Sequence, residues 1–169
     1  SADIRHIVLD FGGVHFPLLE GQNIGIVPPG SDAQGRPHHV RLYSVASPRD
    51  GERPGYHNCA ITVKRVAEDH EGKPVKGVCS NYLCDLRPDD RLEFAGPVGY
   101  PFVIPEDKTA DILMLGMGTG IAPFRTLIRH IYEMIGGWKG RIRLFYGARS
   151  PLEMLYMNDE NSDLANYFD

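Results

Sequence analysis

Residues 111–137 constrain this chain more than any other stretch. Asp111-Ile112-Leu113-Met114-Leu115 is an almost unbroken apolar run, of the kind a strand shows when it is buried on both faces of a parallel sheet. Gly116-Met117-Gly118-Thr119-Gly120 follows at once, and Ile121-Ala122-Pro123-Phe124-Arg125 opens a helix with Pro in its first turn. Phe124, Leu127, Ile128, Ile131 and Ile135 recur at helical spacing until Gly136-Gly137 ends the pattern. Arg141 to Tyr146 is a second apolar strand, closed by the turn Gly147-Ala148-Arg149-Ser150. Strand, helix and strand in that order make a β-α-β unit with parallel strands and a right-handed crossover. A glycine turn between a buried strand and a helix start lets a phosphate approach the backbone, where helix amides and dipole favour its charge. The spacing is G-x-G-x-G rather than the usual G-x-G-x-x-G, so the pattern alone fits a dinucleotide turn or a plain tight turn. No acidic residue ends the next strand to hold a ribose, and Arg149 stands just beyond it.

The first hundred residues follow a different period. Asp3 to Phe11, Asn23 to Val27, Val40 to Ala46, Ala60 to Val66 and Arg91 to Ala95 read as short strands joined by Gly/Pro turns. Such spacing predicts an antiparallel barrel or sandwich. Gly96-Pro97-Val98-Gly99 is expected to end the last of these strands sharply. Between them, Gly77-Val78-Cys79-Ser80-Asn81-Tyr82-Leu83-Cys84-Asp85-Leu86 reads as a short helix capped by Ser80, with Val78, Leu83 and Leu86 on its apolar side. Small residues before a helix start leave backbone N–H groups for a phosphate, although a helix that merely packs on the strands fits equally well. Pro101 to Thr109, where the period changes, is the domain boundary, giving an all-β unit over residues 1–104 and an α/β unit over 105–169.

Within the β unit, Arg41-Leu42-Tyr43-Ser44-Val45-Ala46-Ser47 sets an Arg, a Tyr and two Ser side by side. An Arg fork meets two oxygens of a pyrophosphate at once, and a Tyr two residues on shares its strand face and can lie against a flat ring. Ser44 adds a hydroxyl for that ring's reactive edge. The three chemistries together describe a flavin dinucleotide site. Taken alone, an ordinary strand with a surface Arg and a half-buried Tyr is the simpler reading.

Composition narrows the classes further. Lys and Arg total 18 against 22 Asp and Glu, a formal charge of −4, which argues against a nucleic-acid binder. No apolar run has the length of a membrane span. Cys59, Cys79 and Cys84 form no C-x-x-C pair and cannot supply four cluster ligands, and the His/Cys spacing indicates no metal. Free thiols and an N-terminus that opens on a strand pattern lead to the expectation of a cytoplasmic protein without a leader.

The joint order of motifs is more specific than any one of them. Arg41-Leu42-Tyr43-Ser44, Val63-Lys64-Arg65, Gly77 through Leu86, Gly96-Pro97-Val98-Gly99 and Met114 through Arg125 occur in succession, with Glu20-Gly21-Gln22 and Gly35-Arg36-Pro37-His38 ahead of them. This resembles the plant-type ferredoxin–NADP reductase family along nearly the whole chain, with a bacterial oxygenase-reductase subgroup as one placement. The resemblance implies an antiparallel FAD-binding β-barrel followed by the start of a parallel α/β NADP(H)-binding domain. It further implies a flavoprotein passing electrons between NADP(H) and a one-electron carrier, with ferredoxin, flavodoxin or an oxygenase component as partner. A reductase component of an oxygenase system, or a flavin- and nucleotide-binding module without turnover, are the alternatives.

By position, the resemblance gives Arg41 the FAD pyrophosphate, Tyr43 the isoalloxazine ring and Ser44 the neighbourhood of N5 as the catalytic hydroxyl. Leu42 lies on the same flavin strand. Thr62, Val63 and Lys64 match the strand passing the adenosine part, with Lys64 also near the second nucleotide. Gly77, Val78, Cys79 and Ser80 match the phosphate-binding helix start. Thr119 matches the residue between flavin and nicotinamide, and Ala148 and Arg149 match a nucleotide-contacting turn. Three departures stand out. Glu68 occupies the place of a Tyr that often stacks on adenine, and Met117 replaces a common Thr. The chain also ends at Asp169, before the family's 2′-phosphate residues, its Cys/Glu pair and its terminal aromatic, and it lacks the usual opening barrel strand. A fragment is therefore expected.

Overall fold

The computed structural model describes residues 2–157 and 164–168. Strands β1 (Ile4–Asp10), β2 (Asn23–Val27), β3 (Arg41–Ser44) and β4 (Asn58–Lys64) precede helix α1 (Val78–Asp85). After it come β5 (Glu93–Val98), β6 (Ile112–Met117), α2 (Ala122–Arg129) and β7 (Ile142–Gly147). Five strands before the boundary are antiparallel and the last two are parallel, as the two sequence periods require. Residues 101–111 carry no regular element.

A closed barrel is not found among the described residues. β1 pairs with β4 alone, β3-β2-β5 form a second sheet, and one bridge between Val45 and Ile61 joins the two. The reason lies in β3, which is only four residues long and leaves the β2 ladder just before that bridge. β5 also departs from expectation, because it runs through Gly96 and Pro97 to Val98 instead of stopping. A register shift opposite Asn23 and Gly25 absorbs the extra residue, with Gly96 at φ +129°, a conformation that favours glycine.

β4 is buried on both faces, and its alternation divides the molecule. Cys59, Ile61 and Val63 join Ile24, Ile26, Phe11 and Leu83 in the core of the β unit. On the other face Ala60 meets Ala46 and Ala122 at the start of α2. A second core gathers Met114, Ile121, Leu127, Ile128, Ile131 and Leu164; of the helical-period residues read from the sequence, Leu127, Ile128 and Ile131 are in it, and Phe124 and Ile135 pack against it partly buried. α2 continues into a π-helical turn at His130–Met134, with Ile135 N–H donating to His130 C=O, before Gly136 and Gly137 end it at positive φ. The opposite face of the β6-β7 sheet stays open: Leu113, Leu115, Met117 and Phe145 are all more than half exposed.

Candidate functional site

β3 and the start of α1 do meet. Arg41, Leu42 and Tyr43 from β3 and Gly77, Val78, Cys79 and Ser80 from α1 line one cleft of about 420 Å³. Val66 forms its floor, and Pro28, His38 and His39 of the preceding loop complete the wall. The two segments come together because the end of β4 is stitched to α1. Val66 N–H donates to Ser80 Oγ at 3.1 Å, and Asn81 Nδ2 donates to Val66 C=O at 3.0 Å. Arg65 adds a bond from Nη1 to Asn81 Oδ1 at 2.9 Å.

This stitching corrects the expected cap. The helix begins at Val78 with Gly77 in the capping position and no side-chain cap, while Ser80 lies inside the helix and is buried. Its hydroxyl serves the Val66 amide left over at the end of β4 and so cannot close the first turn. The apolar side differs too. Cys79, Ser80, Asn81, Leu83 and Cys84 face inward, whereas Val78 is half exposed at the cleft. An uncapped first turn leaves amides and the positive end of the helix facing solvent beside Arg41.

Tyr43 is half-buried, and its phenol is pushed well above the ordinary range by burial and then by its hydrogen bond with Cys79. Burial likewise raises the Cys79 thiol, so both groups are neutral near pH 7. Among the described residues no carboxylate pairs with the exposed Arg41, whose guanidinium is open to an anion.

Other expected residues lie elsewhere. Ser44 is half-buried and donates from Oγ to Asn23 Oδ1 at 2.9 Å, across the β2-β3 ladder rather than into the cleft. Val63 is core. Thr62 Oγ1 lies 2.5 Å from Tyr156 Oη, and Lys64 Nζ pairs with Glu153 at 2.8 Å. Both therefore face the segment after β7. Thr119, Ala148 and Arg149 are gathered at the carboxyl edge of the parallel sheet, where Met117 stands opposite Gly147 and Tyr146 Oη donates to Gly118 C=O at 3.0 Å. Ligands of open α/β sheets bind at such an edge.

Sequence reasoning missed a polar cluster between the halves. Glu52 accepts from Arg125 Nη1 at 2.7 Å and Nη2 at 2.9 Å, and from Arg129 Nη1 at 3.3 Å. His6 Nε2 lies 3.5 Å from the same carboxylate, and His6 Nδ1 is 2.7 Å from Tyr156 Oη. Burial alone would raise the Glu52 pKa, but its bonds with Arg125 and His6 bring it down to about 2. Arg125 and Arg129, one helical turn apart, were the available signal. Asn23 was findable as well, since it opens β2 directly opposite Ser44.

Comparison with known proteins agrees with this arrangement. Residues 114–166 match the family model of the oxidoreductase NAD-binding domain. The cyanelle ferredoxin–NADP reductase of Cyanophora paradoxa is 45% identical over 169 residues, covering 97% of this chain and 46% of that protein. Leaf isozyme 1 of the chloroplastic ferredoxin–NADP reductase of Arabidopsis thaliana is 42% identical over 168 residues, covering 94% of this chain and 46% of that protein. The solved ferredoxin–NADP+ reductase of Plasmodium falciparum superposes with a TM-score of 0.72 at 25% identity, covering 93% of this chain and 56% of that one. The chain is thus similar to ferredoxin–NADP reductases over nearly its whole length, as its motifs indicate. It spans about half the length of those relatives.

Proposed function

We propose that this chain is the FAD-binding part, residues 1–104, and the opening of the NADP(H)-binding part, residues 105–169, of a flavoprotein oxidoreductase. The whole protein would pass electrons between NADP(H) and a one-electron carrier such as ferredoxin, with flavodoxin or an oxygenase component as further partners. In it the two antiparallel sheets would belong to an FAD-binding barrel, and a cytoplasmic setting would suit three buried, unpaired cysteines.

The observation that carries this reading is the cleft itself. Arg41, which no carboxylate pairs among the described residues, and the uncapped first turn of α1 offer two anion-binding elements in one cavity, more than a single phosphate needs, which fits the diphosphate of FAD. Tyr43, half-buried and neutral, offers its ring to the flavin. Ser44, oriented by Asn23, would hold a hydroxyl at a fixed place beside the reacting edge. Thr119, Ala148 and Arg149 would meet the nicotinamide nucleotide at the sheet edge, and Lys64 would approach it from β4. Bound FAD supplies the conversion of a two-electron hydride into single electrons. The protein's part is orientation and exclusion of water.

Heat release of the cofactor from purified full-length protein, followed by chromatography, tests the reading. FAD is expected; FMN alone, or well-folded protein without flavin, refutes it. Anaerobic titration with NADPH and then NADH is expected to bleach the flavin absorbance with at least one of them.

A further inference from the structure

Around α2 the contact between the two halves sets carboxylates of one against basic side chains of the other, while Lys64 and Glu153 pair in the opposite sense. The β unit contributes Glu20 and Glu52, and α2 with its π-helical turn contributes Arg125, Arg129 and His130. Arg125 is the more enclosed of the two arginines, with its side chain 6% exposed. Its Nη1 donates both to Glu52 and, at 2.5 Å, to Ala46 C=O, while Nη2 takes the second Glu52 oxygen. The guanidinium also lies over the Tyr156 ring, 4.7 Å from its centroid.

Neither acceptor is loose. Asn58 Oδ1 accepts from the Glu52 and Arg53 amides at 2.8 and 3.1 Å, fixing the loop that carries the carboxylate. Ala46 N–H donates to Ala60 C=O at 2.7 Å, and Ala60 N–H donates to Ser47 Oγ at 2.9 Å, so the residues on both sides of the carbonyl's peptide are tied to β4. Beside them Ala46, Ala60 and Ala122 pack with little more than methyl groups, which brings the first turn of α2 close to the strand.

A buried Arg–Glu pair is a poor device for stability, because an apolar replacement of similar shape often does as well. It is a good device for register, since the rigid fork fits only when all its acceptors are in place. Here the fork spans two landmarks. Ala46 lies two residues beyond Ser44, and Arg125 lies one helical turn beyond the glycine turn that holds Thr119.

We infer that Arg125 is a positioning residue that locks the glycine turn at 116–120 in register with the strand end at Ser44. The inference rests on the proposed function, in which those two places present the nicotinamide and the flavin edge to each other. Reacting atoms must approach to about 3–3.5 Å, and a displacement of about 1 Å can cost on the order of a hundredfold in rate.

The test uses full-length, flavin-loaded protein with Arg125→Lys and Arg125→Met. Lys keeps the charge but loses the fork; Met keeps some bulk and loses both. Flavin content should equal that of the parent, because Arg125 does not line the cleft. Flavin reduction by NADPH in stopped flow should fall by at least about tenfold in Arg125→Met, and by less in Arg125→Lys. The long-wavelength charge-transfer absorbance should weaken in parallel, while the NADPH concentration giving half-maximal rate stays within about threefold. Hydrogen exchange at residues 44–48 and 118–124 should quicken in both variants. Reduction of Arg125→Met at the parent rate overturns the inference, as does a loss confined to melting temperature and flavin content. If Arg125→Met does not fold, Arg125→Lys decides by the same criteria. If the parent itself is reduced by neither nucleotide, the proposed function fails, and unchanged exchange at those two segments then overturns the lock independently.

Discussion

Replacing Glu52 by Gln keeps the shape of the side chain and removes the charge that faces Arg125 and Arg129. The Glu52 carboxyl titrates at about 2 in the fold against an ordinary 4.5. At face value that difference is worth about 3 kcal/mol, and the side chain's partial access to water reduces it to about 2 kcal/mol. Glu52→Gln should therefore lower the unfolding free energy of the full-length protein by about 2 kcal/mol at pH 7, with Arg125 left buried opposite a weaker acceptor. The pH dependence identifies the cause. A carboxyl whose pKa is depressed by folding stabilises fully above its unfolded value, and the benefit fades as pH falls from about 4.5 towards 2. At pH 3.5, one pH unit below the unfolded value, about 1.4 kcal/mol of the parent's advantage should be gone. Urea unfolding followed by circular dichroism, run on parent and variant from pH 7 to pH 3.5, measures both numbers. A gap that stays constant over that range, or no gap at pH 7, would refute the reasoning.

Three other changes probe separate parts of the molecule. Ser44→Val removes the hydroxyl that bonds Asn23, and flavin content should hold while stopped-flow flavin reduction falls about a hundredfold, or about 2.7 kcal/mol; reduction at the parent rate would make the hydroxyl structural. Gly21→Ala should destabilise by about 2 kcal/mol, because Gly21 has φ +89° and a Cβ there would meet the Phe102 backbone nitrogen at 2.8 Å; an unchanged melting temperature would contradict it. Glu153→Gln frees Lys64 from a partner worth about 0.2–1 kcal/mol, so NADPH should bind up to about fivefold more tightly in titrations at low salt; weaker or unchanged binding would count against Lys64 as a nucleotide contact.

The parts of the fold legible in the sequence are those set by local period. Alternation located β1 and β3, a short apolar run β2 and a β-branched run β4, the longer apolar run and helical spacing located β6 and α2, and the paired glycines at 136–137 marked the stop. What escaped depended on partners distant in sequence. Ser80 looks like a helix cap until the Val66 amide, fourteen residues earlier, takes its hydroxyl. Gly96-Pro97 looks like a strand end until β2 supplies the ladder that carries β5 past it. The cleft was legible because Arg41 and Tyr43 share a strand face and Gly77–Ser80 is a contiguous segment. Ser44 sits one residue out of phase with Tyr43, lies outside the cleft lining and bonds across the sheet to Asn23, a partner distant in sequence.

β4 shows how one strand keeps the cleft and the seam between the halves apart. Its odd positions, Cys59, Ile61 and Val63, fill the core behind the cleft, so their side chains are committed to packing. Its even positions point away from that core, and three of the four meet the other half of the chain. Asn58 ties down the Glu52 loop, Ala60 admits the start of α2, and Thr62 and Lys64 reach Tyr156 and Glu153. A slip of one residue would exchange the two sets and put polar groups into the core. The motif Thr62-Val63-Lys64 is therefore not one binding surface. An anion at Lys64 belongs to the seam between the halves, whereas an anion at Arg41 belongs to the cleft beside α1. The end of β4 serves that cleft through the Val66 backbone, which holds Ser80 and Asn81 and so sets where the first turn of α1 points.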